Sequence, residues 1–103
     1  MVQYKRKITE PEREVAVIDE VDVLVVGAGP GGLGAAIAAA RHGAKVLLMG
    51  RYGYVGGMAT RGLVLMLDRM GTDDGEHIIR GIAHELVEKL DSMGAVIYPP
   101  KDA

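Results

Sequence analysis

The residues most suited to chemistry in this sequence are a cluster of glycines. Residues 27–32 read Gly-Ala-Gly-Pro-Gly-Gly and fit the pattern G-x-G-x-x-G. In that pattern Gly27 permits a tight turn, Gly29 lets the backbone approach a pyrophosphate, and Gly32 lets a helix pack closely on a strand. The amide groups at the start of a following helix attract phosphate oxygens. The pattern therefore indicates a phosphate-binding turn, and the alternative is a glycine-rich turn without a ligand.

The flanking residues provide the elements that such a turn needs. Residues 21–26 form an apolar, valine-rich run of strand length, residues 33–42 consist mainly of strong helix formers, and residues 44–49 form a second apolar run. Together they predict a βαβ unit with parallel strands and a right-handed crossover. In this context the glycine pattern predicts dinucleotide binding.

The remaining segments have weaker signals. Residues 1–14 are predicted to be a flexible arm, and residues 15–18 to be a short edge strand. Residues 50–62 contain five glycines and are predicted to be a loop. Apolar residues at steps of three and four predict an amphipathic helix over residues 78–93, with a capping box formed by Asp73 and Glu76. Residues 95–98 are predicted to begin a further strand.

The end of the second apolar run determines which dinucleotide is expected. A carboxylate about 20 residues after the first glycine would accept hydrogen bonds from a ribose, but residues 45–51 contain no Asp or Glu. Gly50 stands where that carboxylate is expected. Arg51 could hold a 2′-phosphate, which would favour NADP, or it could be a solvated loop residue.

Three segments resemble a known family. Residues 22–32 (DVLVVGAGPGG), residues 51–60 (RYGYVGGMAT) and residues 81–87 (GIAHELV) resemble the N-terminus of the FAD-dependent oxidoreductases. The resemblance is to the glutathione-reductase-like flavoproteins whose second strand is followed by a "GGMAT"-type loop, and it covers residues 13–94. It implies an α/β fold: a partial Rossmann-like, FAD/NAD(P)-binding βαβ unit followed by a loop and an amphipathic helix.

The resemblance also implies a cofactor and a set of residues that bind it. The cofactor would be FAD, held by its ADP half, with the glycines of the turn facing the pyrophosphate. Gly56 and Gly57 would approach the ribose or the pyrophosphate, and residues 58–60 would lie nearer the flavin. The family usually has Glu at the position of Gly50, so Gly50→Glu is expected to tighten FAD binding. The expected cofactor-binding residues are Gly27, Ala28, Gly29, Pro30, Gly31, Gly32, Gly50, Arg51, Gly56, Gly57, Met58, Ala59 and Thr60.

Family members run to several hundred residues, so residues 15–103 are expected to be the N-terminal part of a truncated FAD-binding Rossmann domain. The full-length parent would be an oxidoreductase acting on a small molecule, and its catalytic residues would follow Ala103. The alternative is a non-catalytic or split dinucleotide-binding module, with a partner chain completing the fold.

Composition excludes several other classes of function. The net charge of −2 gives no basic footprint for nucleic acid. The absence of cysteine excludes thiolate metal sites and fits a reducing, cytoplasmic location. The uncharged run of residues 23–40 is interrupted by glycines and Pro30, so no membrane span is expected. On a single helix, His77 and His84 would lie about 10 Å apart along the axis, so no metal site is expected.

Overall fold

A two-stranded parallel sheet with one covering helix is the centre of the structure, a computed structural model that describes residues 3–67 and 70–98. Strand β1 (Val23–Val26) is followed by helix α1 (Pro30–Arg41) and strand β2 (Val46–Met49). The strands pair in register, from Val23 opposite Val46 to Val26 opposite Met49. The predicted α/β class and the βαβ arrangement of its first three elements are confirmed.

Helix α1 begins three residues before the predicted start. Pro30 occupies its first turn, where a fixed φ is favourable and a missing N–H costs nothing. The helix ends at Arg41, and the Nδ1 atom of His42 lies 2.8 Å from the carbonyl oxygen of Ala38. Gly43 then adopts a φ of 88°, which lets the chain turn into β2.

The residues at the N-terminal ends of the two strands are fixed together by Asp22 and Lys45. The Asp22 amide donates to the Lys45 carbonyl oxygen at 2.9 Å, and the Lys45 amide donates back to the Asp22 carboxylate at 2.7 Å. The Lys45 ammonium lies 3.2 Å from a carboxylate oxygen of Asp19. This exchange supports the register from its first residue pair, which matters because a slip by one residue would turn every side chain to the opposite face.

Two further helices follow the sheet. The predicted loop of residues 50–62 contains a single helical turn, α2 (Met58–Arg61). Helix α3 (Ile82–Ser92) begins after Gly81, so the predicted start near residue 78 and the predicted capping box are wrong.

Residues 70–79 form a turn instead of the first part of that helix. The Thr72 hydroxyl accepts from the Glu76 amide at 3.0 Å, and the Thr72 amide donates to the Glu76 carbonyl oxygen at 2.8 Å. Gly71 pairs with His77 in an isolated antiparallel bridge. A hydrogen bond from the Thr72 hydroxyl holds the pKa of Asp74 below its usual value. The Thr72 hydroxyl therefore forms hydrogen bonds within the turn, and these stabilise the turn in place of a helix N-terminus.

Two predicted strands are absent from the described residues. Residues 15–18 are exposed and belong to no strand, and residues 95–98 have no strand pairing. The Ala95 amide instead donates to the Leu90 carbonyl oxygen at 2.9 Å and closes the end of α3. Residues 3–14 contain no helix or strand, whereas Met1 and Val2 lie outside the described residues. Within the described ranges, the helices are too short or too polar to span a membrane.

The sheet is covered on one face only. Val25 faces α1, while Leu24 and Val26, which point the other way, are 52% and 70% exposed. Among the described residues no hydrophobic side chain is fully buried, and the radius of gyration is 19.7 Å. A compact domain of this length would have a radius of about 13 Å. Parallel sheets are normally covered on both faces, whereas the face of β1 that carries Leu24 and Val26 is exposed among the described residues.

Helix α3 is tied to α1 by a bidentate ion pair. The Arg41 guanidinium donates to the two carboxylate oxygens of Glu85 at 2.9 and 2.7 Å. The hydrogen bonds from Arg41 hold the pKa of Glu85 below its usual value, and the same pair raises the pKa of Arg41. Both side chains are about half exposed, so salt screens the attraction.

Replacing Glu85 should therefore loosen α3 without unfolding the sheet. Because the folded-state pKa of Glu85 is lowered, its contribution is present above the usual pKa of Glu and is lost as pH falls through the lowered value. We expect Glu85→Gln, measured at neutral pH, to speed amide hydrogen exchange in residues 86–92 and to leave exchange in β1 and β2 unchanged. Glu14→Gln, which removes the same charge from an exposed segment, is the control. Equal exchange of α3 in both variants would show that the ion pair does not hold it.

Candidate cofactor site at the glycine-rich turn

The turn between β1 and α1 has the backbone conformation that its glycines predict. Gly27 adopts a φ of 109°, and its amide donates to the Met49 carbonyl oxygen at 2.7 Å. A Cβ on Gly32 would overlap the Gly27 carbonyl oxygen and would lie 3.5 Å from Cγ1 of Val25. Gly32 therefore lets α1 rest against the end of β1.

The N-terminus of α1 leaves amide groups available to a ligand. The first amides of a helix have no partner inside it, and Pro30 has no N–H to satisfy. The Leu33 amide donates to the Gly29 carbonyl oxygen at 2.9 Å, whereas no side chain caps the helix and its first turn contains no acidic residue. The amides of Gly31 and Gly32 therefore lie at the positive end of a 12-residue helix, where an anion is favoured.

The loop after β2 folds back onto this turn. The Gly56 amide donates to the Ala28 carbonyl oxygen at 2.8 Å, and Gly56 is buried. A Cβ on Gly57 would lie 3.2 Å from the Gly29 Cα and 3.4 Å from the Pro30 Cδ. The two glycines of the second motif thus make direct backbone contact with the first motif.

The Thr60 side chain holds the loop in this shape. Its hydroxyl donates to the Val55 carbonyl oxygen at 2.6 Å. A Cβ on Gly56, whose φ is 98°, would lie 2.5 Å from the Thr60 Cγ2. Thr60 therefore contacts the loop backbone, and its hydroxyl is already engaged there.

The turn and the loop form the walls of a cleft of about 220 Å³. Six of the residues predicted for the site line this cleft. Pro30, Gly31 and Gly32 form the first turn of α1 and are not in the lining, and Gly56 is buried. Residues 58–60 lie in α2, are exposed and do not line the cleft. The residues that line it are Gly27, Ala28, Gly29, Gly50, Arg51, Tyr52, Tyr54 and Gly57.

The position of Gly50 is closely packed against the glycine-rich turn. A Cβ on this residue would lie 2.9 Å from the Ala28 Cβ, closer than two carbon atoms normally approach. A side chain at position 50 therefore requires the turn to move. The cleft as described has no acidic side chain in its lining, and its one charged lining residue is Arg51.

Two tyrosines of the lining were not predicted from the sequence. The rings of Tyr52 and Tyr54 stack with centroids 5.3 Å apart and planes 13° apart. The Arg61 guanidinium lies 5.1 Å from the centre of the Tyr54 ring, within the range of a cation–π contact. The spacing Tyr-x-Tyr immediately after a predicted ribose-binding position was the available signal, since it places two aromatic rings beside one site.

The two histidines considered for a metal site do not share a helix. His77 precedes α3, and its ring contacts that of His84 edge to face with centroids 4.5 Å apart. The separation expected along a helix axis is therefore wrong. The His84 Nε2 atom lies 3.1 Å from a Glu88 carboxylate oxygen. Across residues 3–67 and 70–98, no group of three or more potential ligands is placed to hold a metal ion.

Two glycines of α1 make a matched test of this geometry. Gly32→Ala should lower the free energy of unfolding of the protein by about 1–3 kcal/mol, because the added Cβ overlaps a backbone oxygen. Gly34→Ala, two residues later on the same helix, meets no atom within 4 Å and should raise it by about 0.5–1 kcal/mol. Denaturant unfolding checks both. Similar effects of the two substitutions would contradict the close contact between α1 and β1.

Comparison with known proteins gives relatives that match short parts of the chain. It is 46% identical over 41 residues to the soluble pyridine nucleotide transhydrogenase of Pectobacterium atrosepticum, covering 40% of this chain and 9% of that protein. It is 48% identical over 54 residues to sarcosine oxidase subunit alpha of a Corynebacterium species, covering 48% of this chain and 6% of that subunit. It is 43% identical over 53 residues to the urocanate reductase of Eggerthella lenta, covering 52% of this chain and 9% of that enzyme.

The chain thus spans less than a tenth of the length of these curated relatives. No solved structure matches it significantly. The family described as "FAD dependent oxidoreductase" matches residues 22–103, most of the chain.

The geometry agrees with that match. FAD is the cofactor of this family. The amides of Gly31 and Gly32 lie at the positive end of α1, where an anion is favoured, and residues 27–29 line the cleft beside them. The resemblance predicted from the sequence is confirmed at the level of the family, and the chain belongs to the FAD-dependent oxidoreductases.

Proposed function

We propose that this chain is the segment of a flavoprotein oxidoreductase that binds the ADP half of FAD. The observation that carries the proposal is the hydrogen bond from the Gly56 amide to the Ala28 carbonyl oxygen at 2.8 Å. It joins the two glycine motifs, 28 residues apart in the sequence, into one cleft at the N-terminus of α1. The full-length protein would act on a small-molecule substrate.

Each part of the cleft has a distinct part in binding. The amides of Gly31 and Gly32 donate to pyrophosphate oxygens, and Gly29 allows those oxygens to come close to the backbone. Gly57 closes the cleft from the loop side, toward the ribose. Bound FAD supplies the redox chemistry, whereas these residues bind and orient it. We assign no catalytic residue to residues 1–103.

Residues 58–60 are proposed to lie nearer the flavin, as the resemblance implied, and outside the ADP-binding cleft. Met58 and Ala59 lie on α2, which follows directly from the loop. Thr60 supports the loop through its bond to Val55. We propose that these three residues position the cofactor from outside the ADP-binding cleft, in the manner of the "GGMAT" branch of the family.

The βαβ unit of this segment is proposed to be the first part of a Rossmann-type domain that includes residues 15–103. The exposed face that carries Leu24 and Val26 would be covered by later elements of the same protein or by a partner chain. We also propose a cytoplasmic location, with which the lack of cysteine in residues 1–103 is compatible.

The proposal is tested on the full-length protein after removal and return of the cofactor. We expect the purified protein to carry a flavin absorption band, to lose it on denaturing extraction and to recover it with added FAD. Saturating ADP should slow the recovery, because ADP would compete for the cleft. A protein that stays colourless after reconstitution would contradict the proposal.

A second candidate function rests on the two residues that end β2. Gly50 provides no carboxylate for a ribose, and Arg51 lines the cleft as a cation that could hold a 2′-phosphate. The protein would then be a non-catalytic or split module that prefers NADP. Calorimetric titration with FAD, NADP and ADP separates the two candidates. Tighter binding of NADP than of FAD, lost in Arg51→Ala, would favour the second.

The close contact between Gly50 and Ala28 opposes the gain in FAD affinity that is expected from Gly50→Glu, and this gives a more specific prediction. A glutamate there would add a charge-assisted hydrogen bond to the ribose, worth about 1.5–3 kcal/mol. Its Cβ, however, would lie 2.9 Å from that of Ala28. We expect Gly50→Glu alone to tighten FAD binding little, and Gly50→Glu combined with Ala28→Gly to tighten it about 10- to 150-fold.

The four dissociation constants of this double-mutant cycle are measured by flavin fluorescence, with Ala28→Gly alone as the control. Equal tightening by the single and the double variant would show that Ala28 moves without cost. A lack of tightening in both would show that other groups hold the ribose.

A further inference from the structure

One aromatic ring at the edge of the cleft has no function in the binding scheme above. Tyr52 lines the cleft together with Gly50 and Arg51, yet it is 63% exposed. A tyrosine that served only to fill a core would be buried on both faces of its ring. The exposure of Tyr52 leaves apolar ring surface open beside a cleft that already has a place for a pyrophosphate.

The position of this ring is supported from one side. Tyr54 stacks on Tyr52 with the planes only 13° apart, and Arg61 on α2 contacts the Tyr54 ring. Tyr54 thus holds the Tyr52 ring by stacking, and Arg61 in turn holds the Tyr54 ring. Fixing the ring in advance lowers the entropy that a planar ligand must overcome when it stacks there.

We propose that Tyr52 is the stacking surface for the purine base of the bound dinucleotide. This inference rests on the proposed function, because a nucleotide must occupy the cleft for its base to reach Tyr52. The phosphate turn and the tyrosine line the same cleft, so one ligand can meet both. A purine offers an apolar π-face of the kind that aromatic side chains bind, whatever its hydrogen-bonding edge.

The same assignment explains how the site can function with glycine at position 50. A carboxylate there would secure the ribose by hydrogen bonds, and the cleft lining as described contains none. Stacking on Tyr52 needs no ribose contact and no side chain at position 50. Gly50 allows the chain to approach Ala28. Tyr52, two residues later, supplies the contact with the ligand that Gly50 cannot make.

The experiment measures FAD dissociation constants for the reconstituted full-length protein and four variants. Tyr52→Ala removes the ring, Tyr52→Leu keeps an apolar side chain without a π-face, and Tyr52→Phe keeps the ring. Tyr4→Ala is the matched control, since Tyr4 is an exposed tyrosine in the N-terminal segment. ADP, which carries the purine and the pyrophosphate but no flavin, is titrated as a competitor of FAD against each variant.

We expect Tyr52→Ala and Tyr52→Leu to weaken both FAD and ADP about 5- to 150-fold. Tyr52→Phe and Tyr4→Ala should stay within about twofold of the unaltered protein, since the π-face is intact in both. Binding of FAD and ADP by Tyr52→Leu as tightly as by the unaltered protein would overturn the stacking assignment and leave the proposed function standing. Failure of the unaltered protein to bind FAD or ADP would overturn both.

Discussion

The contact between Gly32 and the Gly27 carbonyl oxygen is the constraint on which the rest of this structure depends. No side chain fits between them, so the first turn of α1 lies directly against the end of β1. The contact sets the direction in which the helix leaves the sheet and aims its free amides at the space beyond β1 and β2. The orientation of the helix N-terminus and the crossover to the second strand thus follow from one close approach of backbone to backbone.

The loop after β2 depends on the same turn. Its Gly56 amide requires a carbonyl oxygen that faces away from the sheet, and Ala28 supplies it because Gly27 has turned the chain with a positive φ. Gly57 can then come to within contact distance of Gly29. A cleft forms even though no hydrophobic side chain of the described residues is fully buried. It is held by backbone hydrogen bonds and by the close approach of glycines.

Local sequence patterns were sufficient to predict the βαβ unit, because its strands, its turn and its helix each have a strong signal within a few residues. They failed for the start of α3. There the apolar spacing continues through Ile78 and Ile79, but the amides of both residues bind the Met70 carbonyl oxygen instead. The arrangement of Tyr52, Tyr54 and Arg61 was not predicted for a related reason. The two tyrosines are close in the sequence, whereas Arg61 contacts the Tyr54 ring only because of the fold of the loop.

Gly50 shows why a departure from a family pattern needs a structure for its interpretation. From the sequence alone it is a missing ligand, which weakens the case for a ribose site. In the structure it is also the residue that lets the strand end lie beside Ala28, and a side chain would have to displace that turn. Because glycine has no Cβ, this position offers no carboxylate to a ribose and also packs closely against Ala28. In the proposed site, affinity would come from the helix amides beside the cleft and from the face of the Tyr52 ring in its lining.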